Sequence, residues 1–182
     1  VIFNKEMSMD PREKSGSQRN WLENILLKIP GFKGYLEKEY RRETDHLLRQ
    51  FISQRLMEGK KSLRKATRAV TDAGKVKLLG GVTPVSNLLD QVESKIRYAS
   101  HGYSGFFDAV KVREAELDQL YAFDQAALQD VEELVAELAT LRGLAKDADA
   151  FQAALDGCRD RLEALDSRWN DRENSIRGLA GE

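Results

Sequence analysis

The sequence predicts an all-α protein: an elongated helical bundle or coiled coil with a long basic helix and an acidic C-terminal helical hairpin or rod. Three observations carry this. An apolar stripe runs from Leu117 to Leu179 through Leu120, Asp124, Ala127, Val131, Leu134, Leu138, Leu141, Leu144, Ala148, Phe151, Leu155, Cys158, Leu162, Leu165, Trp169, Arg172 and Ile176. Its members stand alternately three and four residues apart, the spacing of a helix seam that packs on other helices, and only Asp124 and Arg172 interrupt it. Charged residues make up 32% of the chain and the prolines number three, all before residue 85, a composition typical of bundles and coiled coils. No segment alternates with the period of a strand.

Residues 1–16 are polar and mixed and read as a flexible N-terminal arm; residues 17–182 read as a single elongated helical domain. After Ser17, a plausible cap, Trp21, Leu22, Ile25, Leu26 and Ile29 fall on one face of a short helix that Pro30-Gly31 ends. That face suits a helix lying in a membrane interface or a lid on the end of the bundle. A long helix follows over about 33–78, its apolar face including Leu36, Tyr40, Leu47, Phe51, Leu63, Ala66, Val70 and Ala73. Gly59 and Gly74 are weak points within it, and Gly80-Gly81 is expected to terminate it. Thr83-Pro84 then offers a hydroxyl cap and a first-turn proline to a middle helix over about 84–100, carrying Val85, Leu88, Leu89, Val92 and Ile96.

In the acidic region, about 113–179, two three-residue steps come together at Leu138, Leu141 and Leu144, beside Gly143 and just before Asp147 and Asp149. A stammer, a glycine and two capping aspartates favour a turn between antiparallel helices over one continuous rod.

Charge is divided along the chain. Residues 33–78 hold thirteen Lys/Arg against six Asp/Glu, and residues 113–182 hold eight against seventeen, although the whole chain carries only −1. Two halves of opposite sign are expected to attract, within one chain or between neighbours. Lys60, Lys61, Arg64, Lys65 and Arg68 share one helix face, suited to an anionic surface or simply to solvent. The connection His101–Phe107 is rich in aromatics, and Tyr103, Phe106 and Phe107 are candidates for an interaction surface or for covering the bundle end.

Specific chemistry finds little support. Glu43-Thr44-Asp45-His46 matches the Glu-x-x-His of di-metal bundles, but the other histidine, His101, is preceded three residues earlier by Tyr98, so the second motif is lacking. Two histidines without a nucleophile turn make no triad, and Gly80-Gly81-Val82-Thr83 lacks the lysine of a phosphate loop. The expectation is no enzyme, no catalytic residue, no metal and no cofactor. The single cysteine, Cys158, lies on the apolar stripe and reads as a core residue of a protein kept in a reducing, cytoplasmic compartment.

The layout of a short amphipathic helix, a basic helix and an acidic helical region resembles the helical filament proteins that remodel membranes, of the phage-shock and endosomal-sorting type. The likeness lies in charge and order rather than in a motif, and it implies a peripheral place on an anionic membrane. The residues themselves favour a non-enzymatic scaffold or adaptor that self-associates or binds a protein partner through coiled-coil packing. Membrane assembly and nucleic-acid binding through the basic helix stand behind it.

Overall fold

The computed structural model describes residue 25, residues 27–99 and residues 112–179. Four long helices dominate: α1 (Lys38–Asp72), α2 (Leu79–Tyr98), α3 (Glu114–Thr140) and α4 (Ala148–Leu179), with 3-10 turns at Val76–Leu78 and Leu141–Leu144. No strand occurs among the described residues. Both α1 and α4 pack along α2 and α3, so the helices run around the bundle in the order α1, α2, α4, α3. The basic helix and the acidic last helix are therefore diagonal, and their outer faces point to opposite sides.

The stripe of the last two helices becomes the core. Its described members are buried to 5% exposure or less from Leu117 to Leu141 and from Phe151 to Ile176. Leu144 and Ala148, at the bend, are half-buried. Of the two expected forms the hairpin is the one adopted: α3 ends at Thr140, the 3-10 turn tightens over Leu141–Leu144, and Asp147 caps α4 by accepting from the Ala150 N–H at 3.1 Å. Arg161 on Glu137 (3.0 and 2.7 Å) and Arg168 on Asp130 (2.6 Å) fix the antiparallel register.

The buried face of α1 differs from the expected one in its first half. Leu48, Ile52 and Leu56 are fully buried, whereas Leu36 is exposed and Tyr40, Leu47 and Phe51 are half-buried. The true seam also contains Arg41, Thr44, Asp45, Arg49 and Ser53, all buried. Polar residues at inward positions hid the seam from hydrophobic periodicity. From Leu63 through Ala66 to Val70 the expectation holds.

Both glycine assignments after α1 are corrected. Gly74, expected inside the helix, ends it: at φ +70° it lets the Lys75 N–H reach Val70 O and its own N–H reach Thr71 O, each at 3.0 Å. That pair of bonds is a Schellman C-cap. Gly80 and Gly81, expected to terminate a helix, lie inside the first turn of α2. A Cβ on Gly81 would stand 3.1 Å from Leu155 Cδ2, so this glycine admits a close approach of α4. Thr83 and Pro84 also lie inside α2 rather than opening it; the Thr83 hydroxyl donates back to Leu79 O at 3.4 Å.

Ahead of α1, Ile25 and Ile29 are buried in the core and Gly31 turns the chain at φ +85°. Phe32 and Tyr35 follow them inward.

Candidate functional site

Two groups of polar side chains stand out from an otherwise apolar bundle: one sealed in the core and one open to solvent.

The sealed group joins three helices and the segment before α1. Arg172 on α4 donates from Nε to Asp124 on α3 at 2.6 Å and from Nη2 to Asp45 on α1 at 2.9 Å. Asp45 also accepts from Arg49 Nε at 2.7 Å, and the Tyr35 hydroxyl donates to Asp124 at 2.8 Å. Arg172, Asp124, Asp45 and Tyr35 are each about 99% buried or more. Two aspartates and two arginines balance in charge. Burial opposes the charge of Arg172, but Asp124, Tyr35 and Asp45 outweigh it and hold the guanidinium well above its usual range. Burial first and the Asp124 carboxylate second push the Tyr35 phenol well above its ordinary value. Arg172 Nη1 and Trp169 Nε1 are buried with no hydrogen-bond partner among the described residues, while the guanidinium carbon lies 4.7 Å from the Trp169 ring centroid. The ring face supplies a weaker attraction in place of a hydrogen bond. With its members turned on one another, this group serves fold register.

The open group is the outer face of α1. Leu63, Ala66 and Val70 anchor that stretch in the core, which turns Lys61, Arg64, Lys65 and Arg68 outward at i, i+3, i+4 and i+7. All four are exposed, and none makes a side-chain hydrogen bond or ion pair within the described residues. Lys60, expected with them, is half-buried and tied to Asp90 of α2. The 3-10 turn after α3 packs on α1 through buried Leu141 and brings Arg142 to the same face. Arg64, Lys65, Arg68 and Arg142 line one groove of about 320 Å³ with Ala69 and a single acid, Asp72.

The basic run does not meet the acidic helices as a block. Arg55, outside that run, holds Glu132 of α3 with two bonds of 3.0 and 2.7 Å. The buried Asp45–Arg172 pair joins the halves with the signs reversed. On the far side of the bundle, α4 exposes Asp149, Asp160, Glu163 and Asp171, with Arg159 and Arg177 among them.

The remaining expected sites fare unevenly. Of the short apolar helix, Ile25 and Ile29 face the core, while Trp21, Leu22 and Leu26 lie outside the described residues, as do Tyr103, Phe106 and Phe107. In the Glu-x-x-His sequence, Glu43 is exposed and approaches Lys33 at 3.4 Å, His46 is exposed, and Asp45 belongs to the sealed group. No cluster of three or more His, Cys, Asp or Glu suited to a metal occurs among the described residues. No described helix is long and apolar enough to cross a membrane. Periodicity missed Arg142 because its place on the α1 face depends on how the hairpin turn docks.

Compared with protein-family models, with curated proteins and with solved structures, the chain finds no match.

Proposed function

We propose that this chain is a non-enzymatic helical scaffold that self-associates through its charged outer faces, α1 of one copy docking on α4 of the next. The observation that supports this best is the diagonal placement of two faces of opposite sign. Lys61, Arg64, Lys65 and Arg68 stand without partners among the described residues on one side, and Asp149, Asp160, Glu163 and Asp171 are exposed on the other. Faces on opposite sides cannot meet within one copy but can meet between copies. Such a contact is heterologous, and unless the rotation closes a ring it propagates as an open chain.

The apolar seam of α3 and α4 is used inside the chain. In this reading association runs through charge rather than through a free coiled-coil stripe, the mode suggested by sequence. The site is cytoplasmic or peripheral to a membrane in this reading, and no cofactor takes part.

Size-exclusion chromatography with light scattering tests it at about 50 mM and about 500 mM salt, where screening lengths differ roughly threefold. The low-salt mass is expected to exceed that of one chain and to fall with salt. Reversal of Lys61, Arg64, Lys65 and Arg68 to Glu should abolish the larger species, and added reversal of Asp160 and Glu163 to Lys should restore it. A single-chain mass at both salts overturns the reading. Binding of the same sample to anionic vesicles or to duplex DNA, without self-association, would move the assignment to the membrane or nucleic-acid alternative.

A further inference from the structure

We infer that the groove between the C-terminal half of α1 and the α3–α4 turn is a binding site for a multiply charged phosphate group. This goes beyond the scaffold reading and does not require it.

Arg64, Lys65 and Arg68 come from one helix and Arg142 from a different element, so two walls of the groove are cationic. Elsewhere the bundle pairs its partly buried interhelical charges: Arg55 with Glu132, Lys95 with Asp166, Arg168 with Asp130. In the groove, four cations face one carboxylate, Asp72, and none of them has an ion-pair partner among the described residues. Like charges held together raise the cost of that arrangement until an anion arrives.

The chemistry of the donors selects the anion. Three guanidinium forks suit tetrahedral phosphate oxygens, which they can grip two at a time, while Lys65 adds a point charge. A lone carboxylate offers too little charge for four cations. The volume, about 320 Å³, exceeds the need of a single phosphate and suits two joined phosphates or a phosphorylated headgroup. Both walls are rigid, because Leu63, Ala66 and Val70 hold the helix and Leu141 holds the turn, all 1% exposed or less. A rigid site loses little to ordering on binding. The groove is open on one side, so it takes a phosphate group presented free or at the end of a lipid headgroup.

The experiment is calorimetric titration of the chain with inorganic pyrophosphate, below the concentration at which it associates and with sulfate as the control anion. Saturable one-to-one binding that is tighter for pyrophosphate than for sulfate is expected. Arg142→Ala should weaken it about tenfold or more, since a hydrogen bond to a charged group is lost. Arg142→Lys should recover part of the loss. Lys61→Ala, on the same helix but outside the groove, should change affinity by less than about threefold, the scale of a screened exposed charge. Absence of binding, or equal losses for Lys61→Ala and Arg142→Ala, overturns the site, the latter result meaning diffuse attraction only. Vesicles carrying a bisphosphorylated headgroup, compared with phosphatidylserine vesicles of equal charge, identify the source. Preference for the former at wild-type but not Arg142→Ala chains marks a lipid headgroup, and pyrophosphate binding without it marks a soluble polyphosphate. Chromatography of Arg142→Ala keeps the two readings separate: self-association through Lys61, Arg64, Lys65 and Arg68 should persist while pyrophosphate binding falls.

Discussion

Asp124 and Arg172, the two residues that interrupt the apolar stripe, close on each other across the α3–α4 hairpin, with Arg172 Nε donating to Asp124 Oδ1 at 2.6 Å. Each is an exception in its own helix, and together they are one feature. A buried pair of this kind adds little net stability over apolar side chains, because desolvation offsets the attraction. Its effect is on register. Sliding α4 along α3 by one turn would separate Asp124 from Arg172 and leave each as an uncompensated buried charge.

Breaking one side of the pair should therefore cost more than removing both. Arg172→Met is expected to destabilise the fold by about 3–5 kcal/mol, the scale for a buried charge left alone. The double variant Asp124→Leu/Arg172→Met should regain most of this, since Asp45 keeps Arg49 at 2.7 Å as its partner. Urea unfolding of the two single variants and the double one measures the coupling; additive losses would contradict it.

The partnership was only half legible: both residues interrupt the stripe, but a turn centred on Gly143 would set Asp124 opposite Leu162, and it is the 3-10 turn and the later start of α4 at Ala148 that bring it to Arg172. The all-α class and the apolar seam of the last two helices were readable because apolar side chains at helical spacing leave little choice of face, while the choice between hairpin and rod rested on the stammer beside Gly143 and stayed open. The first half of α1 was not readable, because Asp45, Arg49 and Ser53 are buried there beside partners on other helices. Gly81 misled for a related reason. A glycine that ends a helix and a glycine that lets two helices touch look alike until the neighbour, here Leu155, is known. Arg142 belongs to the same class: its sequence neighbours do not indicate that it will stand beside Arg68.

Alkaline pH should unfold the bundle partly through Tyr35. Its phenol is raised well above the ordinary value by burial and then by Asp124. A raised group contributes stability that is complete below the unfolded pKa and is lost as pH rises toward the folded one. The window thus opens near pH 10, the usual tyrosine value, and the loss approaches about 1.4 kcal/mol per pH unit for one proton. Tyr35→Phe should lower stability at neutral pH by about 1–3 kcal/mol, the cost of stranding a buried hydrogen-bond partner, but flatten the alkaline slope. Tyr121, also raised by burial, will keep some slope. Chemical denaturation between pH 7 and 11 reads both; an unchanged slope would exclude Tyr35 as its source.

Cys158 should be inert in the native protein. It is fully buried, and burial, followed by the negative charge of Glu137, pushes its thiol up to about 12. Thiolate is the reactive form, so almost none is present at pH 8. A thiol-reactive disulfide reagent is expected to modify no cysteine in the folded chain and one per chain in denaturant. Rapid native labelling would show that α4 leaves the bundle on the timescale of the assay.

Two glycine-to-alanine changes should act with opposite sign. In α1, a Cβ on Gly59 would stand 2.8 Å from Leu138 Cδ1 and 3.5 Å from Val135 Cγ2. Leu138 is fully buried and has little room to withdraw. In α4, a Cβ on Gly157 meets nothing within 4 Å. Both sites gain about 1 kcal/mol of helix propensity from alanine. At Gly157 nothing opposes the gain, and the variant should be more stable by about 0.5–1 kcal/mol. At Gly59 the overpacking penalty of about 1–3 kcal/mol exceeds it, so that variant should be less stable by up to about 2 kcal/mol. A companion change, Leu138→Ala in the Gly59→Ala background, separates contact from propensity. Removing Leu138 from the wild type should cost about 2–5 kcal/mol, and less once the methyl group added by Gly59→Ala partly fills the space. Thermal unfolding of the four chains in this cycle gives the interaction directly, and a vanishing coupling would mean that α1 and α3 do not approach as closely at Gly59 as this contact requires.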